Sequence, residues 1–152
     1  MKMFGVNEFA ARFPNAICGI FTLITVFKIG ESVYDKRFGF LWGLSFGGSI
    51  LPFLYFKSGI IDPWFNLFIF SGIYRLVLIT NNVTSSLTVR NGIFAGVFFG
   101  LATLTKGPVA ILIALLSVMA FIILQRKLWI FSLASIAAIA SSYIIVAGSW
   151  FL

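Results

Sequence analysis

The chain has 152 residues and a mean hydropathy of +1.08, and only 10% of it is charged, against about 25% in an average soluble domain. That composition excludes a soluble globular protein and predicts an all-α membrane protein. The net charge of +7 comes from eleven bases and four acids. Because the bases sit in short breaks between apolar runs, they read as a topology signal and argue against a nucleic-acid partner. There is no histidine and one cysteine, which excludes a Cys/His zinc site. Cys18 lies in an apolar run and reads as a small packing residue.

Six apolar segments follow in chain order, predicting a polytopic helix bundle of about six transmembrane helices over 1–152. Met1-Lys2-Met3 does not open a cleavable signal, since Glu8 interrupts before an apolar core builds. The first segment is 9–27, with Arg12 and Pro14 near its start. The second, 38–56, carries no charge, and Pro52 is expected to kink it. The third, 63–80, is interrupted by Arg75; the fourth, 91–105, is short and reads as tilted or partly re-entrant. The fifth and sixth are 107–125 and 128–152. Gly39, Gly43 and Gly47, then Gly92, Gly96 and Gly100, recur every four residues, with a weaker echo at Ala134 and Ala138. Small residues at that spacing let helices approach closely in lipid.

Counting bases in alternate breaks orients the chain. One side receives Lys28, Lys36, Arg37, Arg75, Arg90, Arg126 and Lys127; the other receives Lys2, Arg12, Lys57 and Lys106. The richer side is predicted to be cytoplasmic. Arg75, roughly 20 Å along its helix from Asp62, is expected to snorkel toward that side. The stretch from Lys28 to Arg37 reads as a solvated loop there. Asn82-Val83-Thr84 matches a glycosylation sequon, but its cytoplasmic placement discounts it. The parity puts the N-terminus outside, which predicts a further helix upstream, and the last segment stops on an apolar run. The chain is therefore expected to be an incomplete piece of a larger membrane domain.

The predicted outer side holds few polar residues: Glu8, Arg12, Lys57, Asp62 and Lys106, with Asn66 one turn below Asp62. Glu8 and Arg12 are four apart and able to pair on a helix. They read either as an interfacial anchor or as a site where Arg12 holds an anionic lipid headgroup. Asp62 before Pro63 reads as a helix cap, compatible with a carboxylate that meets a sugar hydroxyl or a cation. Lys106 before Gly107-Pro108 reads as a base at a helix start. Such a position suits phosphate, although a lysine at the interface also touches lipid phosphates nonspecifically. No nucleotide loop, catalytic triad or metal cluster is visible, so metal ligands are none and catalytic residues unknown from pattern alone.

Three strings carry a family resemblance. Phe4-Gly5-Val6-Asn7-Glu8-Phe9-Ala10-Ala11-Arg12-Phe13-Pro14 resembles the stretch opening the second transmembrane helix of bacterial GT-C glycosyltransferases. These are the relatives of protein O-mannosyltransferases and of the aminoarabinose transferase that acts on lipid A (glycosyltransferase family 39-like). Gly59-Ile60-Ile61-Asp62-Pro63 and the run Gly100-Leu101-Ala102-Thr103-Leu104-Thr105-Lys106-Gly107-Pro108 are similar to two later elements, the second being the more specific. Ser149-Trp150-Phe151 resembles a "PWY" element with serine in place of proline.

The resemblance implies part of a GT-C fold in a bacterial inner membrane. It implies transfer of a sugar from a polyprenyl-phosphate donor to a lipid or protein acceptor on the outer face, among membrane lipids. Arg12 and Lys106 would bind the donor phosphate and Asp62 would shape the sugar or cation site; a divalent cation is allowed in the full-length enzyme. The family's first helix and its outer loop with an acidic motif have no match here, so the piece by itself is expected to be inactive. The competing readings are a small-solute transporter segment, with Asp62, Asn66 and Arg75 lining a pathway, and a non-catalytic membrane subunit.

Overall fold

The computed structural model describes residues 8–81, 85–125 and 131–150. The described residues are helical, in seven helices: α1 (Glu8–Val33), α2 (Lys36–Gly48), α3 (Ile50–Lys57), α4 (Asp62–Asn81), α5 (Ser85–Lys106), α6 (Val109–Gln125) and α7 (Leu133–Gly148). They occupy all six apolar segments. Three helices are long and apolar enough to cross a membrane, or four if the bent α2–α3 pair is one span; α6 and α7 are shorter apolar helices.

Helix boundaries depart from the hydropathy reading wherever a charge or hydroxyl continues a helix. α1 runs past Lys28 to Val33, and α2 starts at Lys36. The expected solvated loop is thus a tight Tyr34–Asp35 turn, in which the Asp35 carboxylate accepts from the Phe38 N–H at 2.7 Å and caps α2. α5 is not short: it has 22 residues, because Ser86, Thr88 and Arg90 extend the apolar run by nearly two turns. Flanking polar residues keep helical geometry once the apolar part has nucleated it. α7 starts at Leu133, where Ser132 caps it by accepting from Ser135 N–H.

The second segment breaks rather than kinks. α2 and α3 meet at 64° across Ser49. Proline clashes with the carbonyl four residues back, which for Pro52 is that of Gly48. The bend therefore falls at Gly48–Ser49, upstream of the proline, where two glycines and a serine resist least.

The chain forms two compact units, Met1–Leu67 and Phe68–Leu152. In the first, α1 packs on α2 and α3. The tightest point is Gly30 against Gly39: a Cβ on Gly30 would lie 2.7 Å from Gly39 Cα. Phe56 of α3 lies over Gly19. Of the first glycine series only Gly39 makes a close approach; Gly43 has nothing within 4 Å and Gly47 meets only a Leu23 methyl.

In the second unit α5 and α7 are the most intimate pair. Gly92 faces Ser135 and Ala138, Gly96 faces Ile139 and Ser142, and Gly100 faces Val146. This glycine series is a helix-packing face throughout. Ala138 joins it, but Ala134 is exposed and does not. α4 meets α5 through longer side chains, with Phe99 seated in the notch at Gly72.

Many large aliphatics face outward, unlike in a soluble protein. Small residues such as Cys18, Ala95, Ala102 and Ala110 are fully buried, while Ile50, Leu112, Leu133 and Ile144 face outward. Lipid accepts large aliphatics, so the interior is chosen for close fit. Buried hydroxyls bond back to their own helix, as Thr22 does to the Cys18 carbonyl and Ser142 to that of Ala138, and among the described residues every buried side-chain polar atom has a partner.

Candidate functional site

The polar end of the first unit is organised by Asn15. Its amide donates to two main-chain carbonyls of the α3–α4 connection, Ser58 at 2.5 Å and Ile60 at 2.7 Å. Both partners are acceptors, so the NH₂ group must face them. The connection has no helix of its own to satisfy those carbonyls, and Asn15, only 4% exposed, supplies the donors. Arg12 lies one turn before Asn15 on the same helix, at a spacing that shares a face. Asp62 follows two residues after Ile60. The clamp thus gathers Arg12, Lys57, Asp62 and the Gly59–Ile61 backbone at one end of the unit. Glu31 and Asp35 belong to the other end, roughly 28 Å along α1.

Within this cluster Arg12 and Lys57 are exposed and Asp62 is half-buried. Lys57 stands 5.7 Å from the Phe53 ring centroid, a weak cation–π contact. Asp62 is one position off the expected cap. The Ile61 carbonyl accepts from Trp64 and Phe65 N–H, so Ile61 is the capping position and Asp62 opens the first turn of α4. A carboxylate there still faces the positive end of the helix dipole. Asn66 is exposed one turn on. The side chain of Glu8 lies outside what is described, and with it the Glu8–Arg12 pair.

Lys106 belongs to the second unit, and its local setting differs from the expectation. It is the last residue of α5, not the start of a helix. The Gly107 N–H bonds the Thr103 carbonyl at 2.7 Å, and Gly107 turns the chain with φ +74°, a conformation that glycine adopts freely. Pro108 has no N–H, while Ala110, Ile111 and Leu112 N–H groups turn back to Gly107 and Pro108 carbonyls. The start of α6 therefore offers few donors to an anion. The ammonium of Lys106 instead complements the negative end of α5, and any anion it binds it binds by its own charge.

Arg75 has two described partners, both on α5. Its guanidinium donates to Asn91 Oδ1 on α5 at 3.1 Å and lies 5.0 Å from the centroid of Phe94. Sequence reading missed both asparagines. The available signal was an amide inside an apolar run near an arginine, as at Asn15 after Arg12. A hollow of about 310 Å³ among Leu76, Phe99, Leu115, Ile139 and Tyr143 has no charged lining residue. Among the described residues no three His, Cys, Asp or Glu side chains gather. The described residues do not by themselves fit a divalent cation. The sequon at 82–84, Lys2, Arg126, Lys127 and Phe151 lie outside the described residues.

Long apolar helices, small-residue interfaces and few charged side chains define a multi-pass helical membrane protein. The chain belongs to the dolichyl-phosphate-mannose-protein mannosyltransferase family, whose model matches residues 1–150. That is a family of membrane glycosyltransferases of the GT-C type. No curated protein and no solved structure matches the chain.

Proposed function

We propose that the chain supplies the donor-phosphate side of a glycosyltransferase. That enzyme moves a sugar from a polyprenyl-phosphate donor to a lipid or protein acceptor on the outer face of a bacterial cytoplasmic membrane. Arg12 in the first unit and Lys106 in the second are each candidate ligands of the phosphate, and Asp62 is the candidate for the sugar. One observation carries this reading beyond family membership: the Asn15 clamp holds the turn bearing Arg12 against the connection bearing Asp62. A base and a carboxylate held together suit a ligand with a phosphate and hydroxyls side by side. The transporter alternative finds less support, because Arg75, which would line its pathway, is turned against Asn91 and Phe94.

The test is equilibrium binding of a fluorescent polyprenyl phosphate to the chain in lipid nanodiscs. Arg12→Ala and Lys106→Ala are each expected to weaken binding about tenfold, the effect of one charge-assisted contact, and Lys36→Ala to leave it unchanged. Wild-type affinity in both variants would remove these bases from the site.

Sidedness has its own readout. An impermeant maleimide added to intact cells is expected to label Lys57→Cys and spare Lys36→Cys. Both positions are exposed in the structure, and Cys18, at 0% exposure, adds no background. The reverse pattern inverts the assignment and places the cluster in the cytoplasm.

A further inference from the structure

The 85 residues from Phe68 to Leu152 form the second unit, and they contain five bases and no acid: Arg75, Arg90, Lys106, Arg126 and Lys127. One of those bases, Arg75, is inside a candidate membrane span, Asp62–Asn81. A guanidinium in an apolar span is costly and ordinarily finds a counter-charge. Here its described partners, the Asn91 amide oxygen and the Phe94 ring, are both neutral. Arginine carries five donors in a planar fork, and Asn91 accepts from one of its nitrogens.

The position is set by two antiparallel helix ends. Arg75 lies six residues before the end of α4 at Asn81, and Asn91 six residues after the start of α5 at Ser85. Both are therefore about 9 Å in from the same end of the hairpin. Asn91 is 4% exposed and fixed, whereas Arg75 is half-buried and Arg90, the neighbour of Asn91, is exposed. The result is a fork braced on one side by Asn91 and Phe94, about 9 Å in from the helix ends, with further donors left on the guanidinium.

We propose that Arg75, braced by Asn91 and Phe94, binds the phosphate of an anionic membrane phospholipid. The lipid supplies the negative charge that this half of the chain lacks. Basic pockets between transmembrane helices recognise headgroups in this way, and arginine's paired donors match phosphate oxygens. The site is separate from the proposed donor site: Arg75 and Lys106 stand toward opposite ends of the α4–α5 pair, with Asn91 and Lys106 about 22 Å apart along α5.

The experiment is native mass spectrometry of the intact chain released from bilayers of phosphatidylcholine doped with phosphatidylglycerol. The wild type is expected to retain phosphatidylglycerol in preference to phosphatidylcholine, and Arg75→Gln to lose that preference about tenfold. Equal retention of the two lipids by the wild type overturns the proposal, as does an unchanged preference in a helical Arg75→Gln. The wild-type arm needs no variant, so the proposal stays testable if Arg75→Gln misfolds. A polyprenyl phosphate added in competition is expected not to displace the retained lipid. Displacement would make this a donor site and overturn the assignment to phospholipid.

Discussion

Gly96→Ala is expected to destabilise the α5–α7 pair by about 1–3 kcal/mol, and Gly96→Ile to abolish it. A Cβ on Gly96 meets Ser142 Oγ, the Ile139 carbonyl and, at 3.0 Å, the Tyr143 nitrogen. Two of those are backbone atoms, so no rotamer change relieves the collision and the helices must separate. Separation also removes the contacts that Gly92 and Gly100 make with Ala138 and Val146. In lipid those contacts hold the pair together, since the apolar surface gains little by leaving a hydrocarbon solvent. Gly43→Ala is the matched control. Nothing lies within 4 Å of that position, and alanine is the better helix former by about 1 kcal/mol. The check is unfolding of both variants in mixed micelles followed by circular dichroism. Equal stability of Gly96→Ala and wild type would contradict the packing derived for this face.

Asn15→Leu is expected to release the α3–α4 connection. It keeps a side chain of similar length but removes both donors, leaving the Ser58 and Ile60 carbonyls without them. The expected cost is about 1–2 kcal/mol, the net worth of two part-buried hydrogen bonds. Asn15→Asp separates hydrogen bonding from shape: it is nearly isosteric, yet its carboxylate cannot donate to a carbonyl. Amide exchange at residues 59–62 is expected to accelerate in both variants. Polyprenyl-phosphate binding is expected to fall at least as far as in Arg12→Ala, because Asp62 loses its placement relative to α1. Unchanged exchange at 59–62 would show that the connection holds itself, and the clamp would then have no part in the site.

Gly39, Gly43 and Gly47 look alike in sequence, as do Gly92, Gly96 and Gly100. Spacing says that a helix can be approached closely there, but not which position a partner reaches. The break at Ser49 is legible only in part: Pro52 announces a bend, and its conflict with the Gly48 carbonyl moves the bend upstream. Lys106 is a similar case. Gly-Pro marks a helix junction, but the hydrogen bond from Gly107 to Thr103 assigns the lysine to the helix that ends there.

Sequence by itself determined the class of this protein. A chain 61% hydrophobic and 10% charged, with bases gathered between apolar runs, has to satisfy its backbone within helices when surrounded by lipid. It also carried the strings around Arg12, Asp62 and Lys106 that resemble the family. Tertiary structure alone decided which polar groups act on one another. Asn15 and Ser58 are 43 residues apart, and Arg75 and Asn91 are 16 apart on two different helices. A hydrogen bond needs its two atoms within about 3 Å. No local pattern encodes that meeting, because it depends on how whole helices pack. Close packing of small residues brings the helices together, and only then do an amide and a carbonyl, or a guanidinium and an amide, meet.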